Sequence, residues 1–91
     1  MTEAALRQKL ERLGYSVTRY VYPPGTFFPD HSHGDDKMDA VLSGRFRLVI
    51  EGREIMLEAG DMVPVPAGVV HSALVIGDEP VMSLDGVRSR G

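Results

Sequence analysis

Three histidines are the residues of this chain whose types and spacing best suit metal chemistry, and they lie in two short segments. His31 and His33 are one residue apart, and His71 directly follows residues 66–70, a segment that can turn the chain. Alternate residues of a β-strand face the same side, so His31 and His33 can direct two imidazoles at one point. The chain has no cysteine, so a metal ion would be held by histidine and carboxylate groups. A His-x-His pair can also be incidental, and on this spacing alone both interpretations stay open.

One helix and a series of short strands are predicted to position these residues. Leu6, Leu10 and Leu13 recur at helical spacing, with Thr2 able to cap the start and Gly14 able to end the helix. Beyond residue 14 the pattern alternates with a period of two, which is typical of strands that bury one face. Strands are predicted at 15–22, 38–42, 45–50, 53–57, 62–65, 71–76 and 81–87. The pattern predicts an all-β sandwich or barrel preceded by one short α-helix.

Composition and charge limit the classes of function. The 91 residues suffice for one domain, with the helix at 1–14, the β-barrel at 15–87 and a polar tail at 88–91. From Asp85 to Gly91 the sequence is interpreted as a frayed polar end. The net charge is -3 without a basic run, so no nucleic-acid partner is expected. No apolar run approaches the roughly 20 residues of a membrane span, and the N-terminal residues lack the apolar segment of a signal peptide, so a cytoplasmic protein without a membrane partner is expected.

The first histidine segment resembles the first motif of the cupin superfamily. That motif is a glycine, five residues, His-x-His, three or four residues, a glutamate, six residues and a glycine. In this sequence Gly25, the two histidines and Gly44 stand at these intervals. Lys37 stands in the glutamate position.

The second histidine segment resembles the second cupin motif. That motif is a glycine, five residues, Pro-x-Gly, two residues, a histidine, three residues and an asparagine. Gly60, Pro66, Gly68 and His71 match every interval, and Val75 stands in the asparagine position. The two motifs span residues 25–75, and the strand pattern extends the resemblance to most of the chain.

The resemblance implies both a fold and a site. The implied fold is all-β, a cupin-type jelly-roll β-barrel with one short N-terminal α-helix. The implied cofactor is a single divalent metal ion, Zn, Fe, Mn or Ni, held by His31, His33 and His71. The resemblance does not imply one reaction, because one fold carries many functions.

Lys37 makes the site depart from the family's four-ligand pattern, because a protonated ammonium group cannot bind a metal ion. If the chain has strand conformation here, Lys37, Asp39 and Val41 point into the barrel. Asp39 would then replace the missing carboxylate or pair with Lys37, and Asp36 is another candidate for a fourth ligand. Residues 35–37 can instead form a solvated loop, and that alternative stays open.

Three alternative classes of function are compatible with such a site. The first is a metal-dependent enzyme of oxygenase or isomerase type that acts on a small organic acid or diketone-like molecule, with Lys37 and Asp39 as catalytic candidates. The alternative is a non-catalytic cupin that binds or senses a small molecule, and the third class is a metal-free structural dimer. A homodimer is expected, because a thin barrel with exposed strand edges gains stability by pairing. Without the glutamate, the ion and its ligands carry about +2 rather than +1, which favours an anionic bidentate ligand such as a carboxylate or an enolate.

Overall fold

The computed structural model describes residues 2–89, in which one helix and eight strands are found. The helix α1 is Glu3–Arg12. The strands in chain order are β1 (Ser16–Tyr22), β2 (Phe27–His31), β3 (Asp36–Ser43), β4 (Arg45–Ile50), β5 (Arg53–Leu57), β6 (Met62–Val65), β7 (His71–Ile76) and β8 (Val81–Arg88).

Helix α1 covers one outer face of the β-structure. The Thr2 hydroxyl accepts a hydrogen bond of 3.1 Å from the backbone N–H of Ala5, which caps the start of the helix. Leu6 and Leu10 are fully buried. They pack in one cluster with Tyr15, Met38, Ala40 and Leu84. Within residues 2–89, no helix has the length and apolar character needed to cross a membrane.

The strands form two four-stranded antiparallel sheets that face each other. Sheet I has the strand order β1-β8-β3-β6, and sheet II has the order β2-β7-β4-β5. Strands far apart in the chain are thus neighbours in each sheet, as in a double-sheet jelly roll. The predicted all-β jelly-roll barrel with one short N-terminal helix is confirmed.

The interior between the sheets contains an apolar core. Sheet I contributes Val41, Val65 and Val81 to the core, and sheet II contributes Phe46, Leu48, Leu57, Ala73 and Val75. These side chains lose almost all contact with water, which is the main source of stability in a barrel of this size.

Strand β3 separates this core from the cluster under the helix. Met38 and Ala40 pack toward α1, whereas Val41 packs in the core between the sheets. Lys37 and Asp39 line the cavity in the barrel interior. The alternation predicted for this strand is therefore observed, and it directs two charged side chains inward.

Strand β8 extends to Arg88, so the interpretation of residues 85–91 as a frayed end is wrong for residues 85–88. Asp85 lies in the middle of sheet I, where β8 pairs with β1 on one side and β3 on the other. The Arg88 guanidinium donates a 2.8 Å hydrogen bond to the carbonyl of Leu13. The two ladders satisfy the backbone of these residues, and residues 90 and 91 lie outside the described part of the chain.

Candidate metal centre

The three histidines are brought together by sheet II and by the link that leaves it. His31 ends β2, His71 begins β7, and their Cα atoms are direct partners in the antiparallel pairing of these strands. His33 lies two residues beyond the end of β2. Its carbonyl accepts a 2.8 Å hydrogen bond from the N–H of Gly68, which joins the two histidine segments.

The imidazole rings converge. The ring centroids are 4.2 Å apart for His31 and His71, 4.7 Å for His31 and His33, and 5.1 Å for His33 and His71. One possible ligand atom from each ring lies within 4.8 Å of the other two. In the described part of the chain, this is the only group of three or more histidine, cysteine or acidic residues that could hold a metal ion.

Backbone carbonyls fix the tautomers of two of these rings. Nδ1 of His31 lies 2.7 Å from the carbonyl oxygen of Pro29, and Nδ1 of His71 lies 3.0 Å from that of Val69. Since a carbonyl oxygen only accepts, each Nδ1 must carry the hydrogen and donate it. In the neutral form of each ring Nε2 then keeps a free lone pair, and this arrangement is typical of histidines that bind metal ions. The donor set therefore fits a divalent metal ion.

Asp36 does not join the histidines. Its Oδ1 accepts a 2.9 Å hydrogen bond from the N–H of Ala67, in the loop before β7. Its Oδ2 lies 3.8 Å from a guanidinium nitrogen of Arg88. Asp36 therefore binds the loop that leads to His71 instead of lying with the imidazoles.

A cavity of about 160 Å³ opens beside the histidines, between the two sheets. It is lined by aromatic, charged and imidazole groups, namely Tyr22, Phe28, His31, His33, Lys37, Asp39, Phe46, His71, Ala73 and Asp85. Sheet II and its link provide the imidazoles, and sheet I provides Lys37, Asp39 and Asp85.

The charged groups of sheet I contact one another. The ammonium nitrogen of Lys37 lies 2.6 Å from Oδ2 of Asp85, and both side chains are mostly buried. Asp39 is the direct Cα partner of Asp85 in the pairing of β3 with β8. Lys37 and Asp39 thus lie in the cavity, as the sequence predicts, while Asp85 is a site residue that the sequence analysis missed. Counting inward positions in steps of two from Val81 would have found Asp85.

Burial sets the protonation states in the cavity. Burial, then the charge of Asp85 and a hydrogen bond that the protonated Asp39 can donate to Asp85, raise the pKa of Asp39 to about 7, against the lowering effect of Lys37. Burial, followed by the charges of Lys37 and the other imidazoles, lowers the pKa of His33 below 6.5. Burial and the two carboxylates raise the pKa of Tyr22 well above its usual range. Near neutral pH the cavity therefore holds a neutral His33 and an Asp39 that readily changes its protonation state.

A jelly roll with three imidazoles converging in its interior defines a class of small β-barrels able to hold one metal ion. The family model described as "Cupin domain" matches residues 18–87, which is most of the chain. The chain therefore belongs to the cupin domain family, as its two histidine segments indicate.

Solved structures of known proteins show the same fold. A cupin protein from Bacteroides fragilis is 27% identical and has a TM-score of 0.73, with 94% of this chain and 75% of that chain covered. A structure of the DMSP lyases RdDddP and RnDddQII is also 27% identical, with a TM-score of 0.76 over 85% of this chain and 40% of that chain. Salicylate 1,2-dioxygenase from Pseudoaminobacter salicylatoxidans, at 22% identity, has a TM-score of 0.73 over 78% of this chain and 21% of that chain. The chain spans less than half of each of these two enzymes, and the dioxygenase likeness shows the fold alone.

Proposed function

We propose that this protein is a metal-dependent enzyme that acts on a small organic acid or a diketone-like molecule. The observation that carries the proposal is the convergence of His31, His33 and His71 beside a cavity that also contains the ionisable carboxyl of Asp39. A cavity with metal-ligand donors on one side and an acid on the other has the parts of an acid-base site. The likeness to a structure of two lyases at 27% identity supports an enzymatic role.

The charge of the cavity favours an anionic substrate. A divalent ion with three neutral imidazoles carries about +2, the Lys37 and Asp85 charges cancel, and Asp39 adds at most one negative charge. An anionic bidentate ligand would neutralise the remainder. Oxalate or acetylacetonate should therefore inhibit more strongly than neutral analogues of equal size, and the reverse order would contradict this part of the proposal.

The chain's own residues account for a proton transfer. A divalent ion bound by the histidines would supply a Lewis acid toward a substrate oxygen. Asp39, as a carboxylate, takes a proton from the carbon next to a carbonyl or carboxyl group, and the electron pair of the C–H bond stays in the substrate as an enolate. Asp39 exchanges this proton with water and then returns a proton to that carbon or to a neighbouring one, so no oxidant or reductant is consumed. Lys37, held by Asp85, provides a fixed positive charge beside the anion.

The raised pKa of Asp39 favours an enzyme of isomerase type over one of oxygenase type. A general base works best when its pKa lies near the working pH, and the pKa of Asp39 is raised to about 7. An oxygenase acts through its metal ion and dioxygen and does not require such a group.

Hydrogen exchange into small ketones tests the proposal. The purified protein is analysed for metal, loaded in turn with Zn²⁺, Fe²⁺, Mn²⁺ or Ni²⁺, and incubated in D₂O with pyruvate or acetylacetone while proton NMR follows loss of the C–H signals. We expect at least one loaded form to exchange the probe faster than the same metal in buffer. His71→Ala and Asp39→Asn should lose the acceleration, and Asp78→Asn, in an exposed turn, should keep it. Equal exchange in all variants and buffer would contradict an enzyme of isomerase type, and oxygen uptake measured in parallel would instead indicate an oxygenase.

A non-catalytic binding or sensing cupin is the second candidate. Lys37 in the family's glutamate position favours it, because the site then lacks one ligand of the four-ligand pattern. Binding of metal and oxalate without exchange or oxygen uptake would support this candidate. A protein without metal, both as purified and as His71→Ala, would leave the metal-free structural dimer.

We also propose that a second copy of this chain is its macromolecular partner. β1 and β2 are edge strands of their sheets, and they carry the exposed side chains of Tyr20, Val21 and Phe27. Unpaired strand edges with apolar side chains tend to associate. Sedimentation velocity should show a dimer at micromolar concentrations, and a single monomeric species would contradict it.

A further inference from the structure

The sheet I side of the cavity contains two carboxyls that face each other, and the role inferred for them rests on the proposed function. Asp39 and Asp85 are direct partners between β3 and β8, so their side chains project from the same face of sheet I. Both line the cavity. Two ionised carboxylates at directly opposite positions would repel each other, and burial would strengthen the repulsion.

Asp39 and Asp85 are called the carboxyl pair. The two side-chain oxygens of Asp85 show how the repulsion between these residues can be avoided. Oδ2 of Asp85 is bound to the Lys37 ammonium group at 2.6 Å. Oδ1 of Asp85 is buried and has no hydrogen-bond donor among residues 2–89. A buried acceptor without a donor costs free energy, so such atoms are rare in folded proteins. A hydroxyl on a protonated Asp39 would supply that donor and remove the second negative charge.

We propose that Asp85 is a positioning residue that holds Lys37 by an ion pair and shares a single proton with Asp39, which gives and takes that proton in the cavity. Each of the three side chains then has an assigned role. Lys37 neutralises Asp85, Asp85 accepts the hydrogen bond, and Asp39 carries the proton next to the space that a substrate would occupy. Asp85 acts through its neighbours and needs no contact with the substrate.

The other titratable groups around the carboxyl pair are accounted for. Tyr22 of β1 lines the same cavity, and the imidazoles of His31, His33 and His71 face it from the sheet II side. β6, which pairs with the other edge of β3, places the apolar Val63 opposite Asp39. Among the cavity-lining residues, Asp85 is therefore the only second carboxyl, and Lys37 is the only ammonium group.

The carboxyl titration of Asp39 tests the inference in full-length protein freed of metal by EDTA. Carbon-13 NMR of aspartate-labelled protein should show Asp39 titrating near pH 7 in the wild type. Asp85→Asn removes the neighbouring anion, so the midpoint should fall by about one pH unit or more. Lys37→Met removes the neighbouring cation, so the midpoint should rise. A general loosening of the fold would not lower the Asp39 midpoint in one variant and raise it in the other. An unchanged midpoint in both variants would overturn the inference.

A double variant and a control keep the test decisive if a single variant fails to fold. Lys37→Met with Asp85→Asn removes a cation and an anion together, and Asp85 raises the Asp39 pKa more than Lys37 lowers it. The Asp39 midpoint should therefore still fall, and a midpoint at the wild-type value would overturn the inference. Asp78→Asn should leave it in place. Because no metal or substrate is present in the titration, its result does not depend on the result of the hydrogen-exchange experiment.

Discussion

The carboxyl of Asp39 and the imidazole of His33 illustrate how burial of a single residue sets its chemistry. Burial disfavours the charged form of any group, so it raises the pKa of an acid and lowers that of an imidazole. Asp39 is thereby held near its neutral form, while His33 is held neutral to lower pH than in water. The same interior therefore provides a proton donor and a metal-ligating imidazole at one pH.

Asp39→Asn is expected to change the pH dependence of stability. The pKa of Asp39 is about 7 in the folded protein and 3.8 in an unfolded chain, so folding favours the protonated acid. The contribution of Asp39 to the free energy of unfolding is fully present below pH 3.8 and is lost as the pH rises through 7. Asparagine resembles the neutral acid and does not titrate. The difference in the free energy of unfolding between Asp39→Asn and the wild type, measured by urea unfolding, should therefore shift in favour of the variant by about 4 kcal/mol from pH 4 to pH 8.

The lowered pKa of His33 also changes the pH dependence of stability, so the comparison must be a difference between variant and wild type. The lowered pKa of His33 makes stability rise with pH, in the opposite direction to Asp39, and it does so in both proteins. Asp78→Asn should track the wild type throughout. A wild type and Asp39→Asn that differ by a constant amount from pH 4 to pH 8 would contradict the raised pKa.

The ion pair of Lys37 and Asp85 gives a second prediction at the residue scale. Its side chains are only 17% and 13% exposed, so removing one partner leaves a mostly buried charge unpaired. Lys37→Met should lower the free energy of unfolding by about 3 kcal/mol. Lys37→Met combined with Asp85→Asn should recover most of that loss, because both charges are gone. Additive losses in the double variant would show that the two side chains do not interact.

The sequence predicts the inward positions of Lys37 and Asp39 more clearly than that of Asp85. Strand periodicity places Lys37 and Asp39 inward, because alternate residues of β3 face the barrel interior. The same rule applies to Asp85, but the polar residues after it suggest a chain end. The pairing of β8 with β1 and β3 shows that β8 continues past Asp85 and that this acid is interior. Such long-range pairing cannot be inferred from local composition.

At the scale of elements, Gly44 in the turn from β3 to β4 provides a prediction about packing. Its φ of +83° favours glycine, and a Cβ at this position would collide with the backbone carbonyl of Pro80. Gly52 has a similar φ of +80°, but a Cβ there would meet no atom within 4 Å. Gly52→Ala should therefore cost only the conformational strain, about 1 kcal/mol. Gly44→Ala should cost about 3 kcal/mol, because the turn or the chain before β8 must also move.

Denaturant unfolding of the two variants measures this difference directly. Gly34→Ala, with an ordinary φ and open space around it, is the matched control and should stay close to wild type. Equal losses for Gly44→Ala and Gly52→Ala would mean that the contact with Pro80 carries no energy.

The elements themselves are predictable wherever burial alternates. The predicted strand limits for β4, β5, β6 and β7 agree with the structure, since each has turns at both ends and a buried face. Strand β2 is not among the predicted strands. It lies at a sheet edge, contains Pro29 and is mostly exposed or half-buried, so it has neither a buried stripe nor a full set of backbone donors. His31 nevertheless depends on this strand for its position opposite His71.

At the scale of the whole molecule, the two sheets divide the chemistry between them. Sheet II and the link after β2 carry the imidazoles, and sheet I carries Lys37, Asp39 and Asp85. The apolar core between the sheets holds these two sets at a fixed separation. The family motifs of the sequence predict the histidine set and strand periodicity predicts Lys37 and Asp39, whereas the contact of Asp85 with these two residues depends on the pairing of β3 with β8, which are far apart in the chain.

Metal binding should therefore stabilise the whole barrel through sheet II. Zn²⁺ that binds only the folded state raises the free energy of unfolding by about 2.7 kcal/mol at one hundred times its dissociation constant. His71→Ala should remove this gain, while Asp39→Asn should keep it. Because imidazoles must be neutral to bind a metal ion, the gain should shrink as the pH falls below about 6.5. Thermal unfolding with and without Zn²⁺ from pH 5 to pH 8 measures the effect. A stability gain that persists in His71→Ala, or that does not change with pH, would contradict coordination by these three histidines.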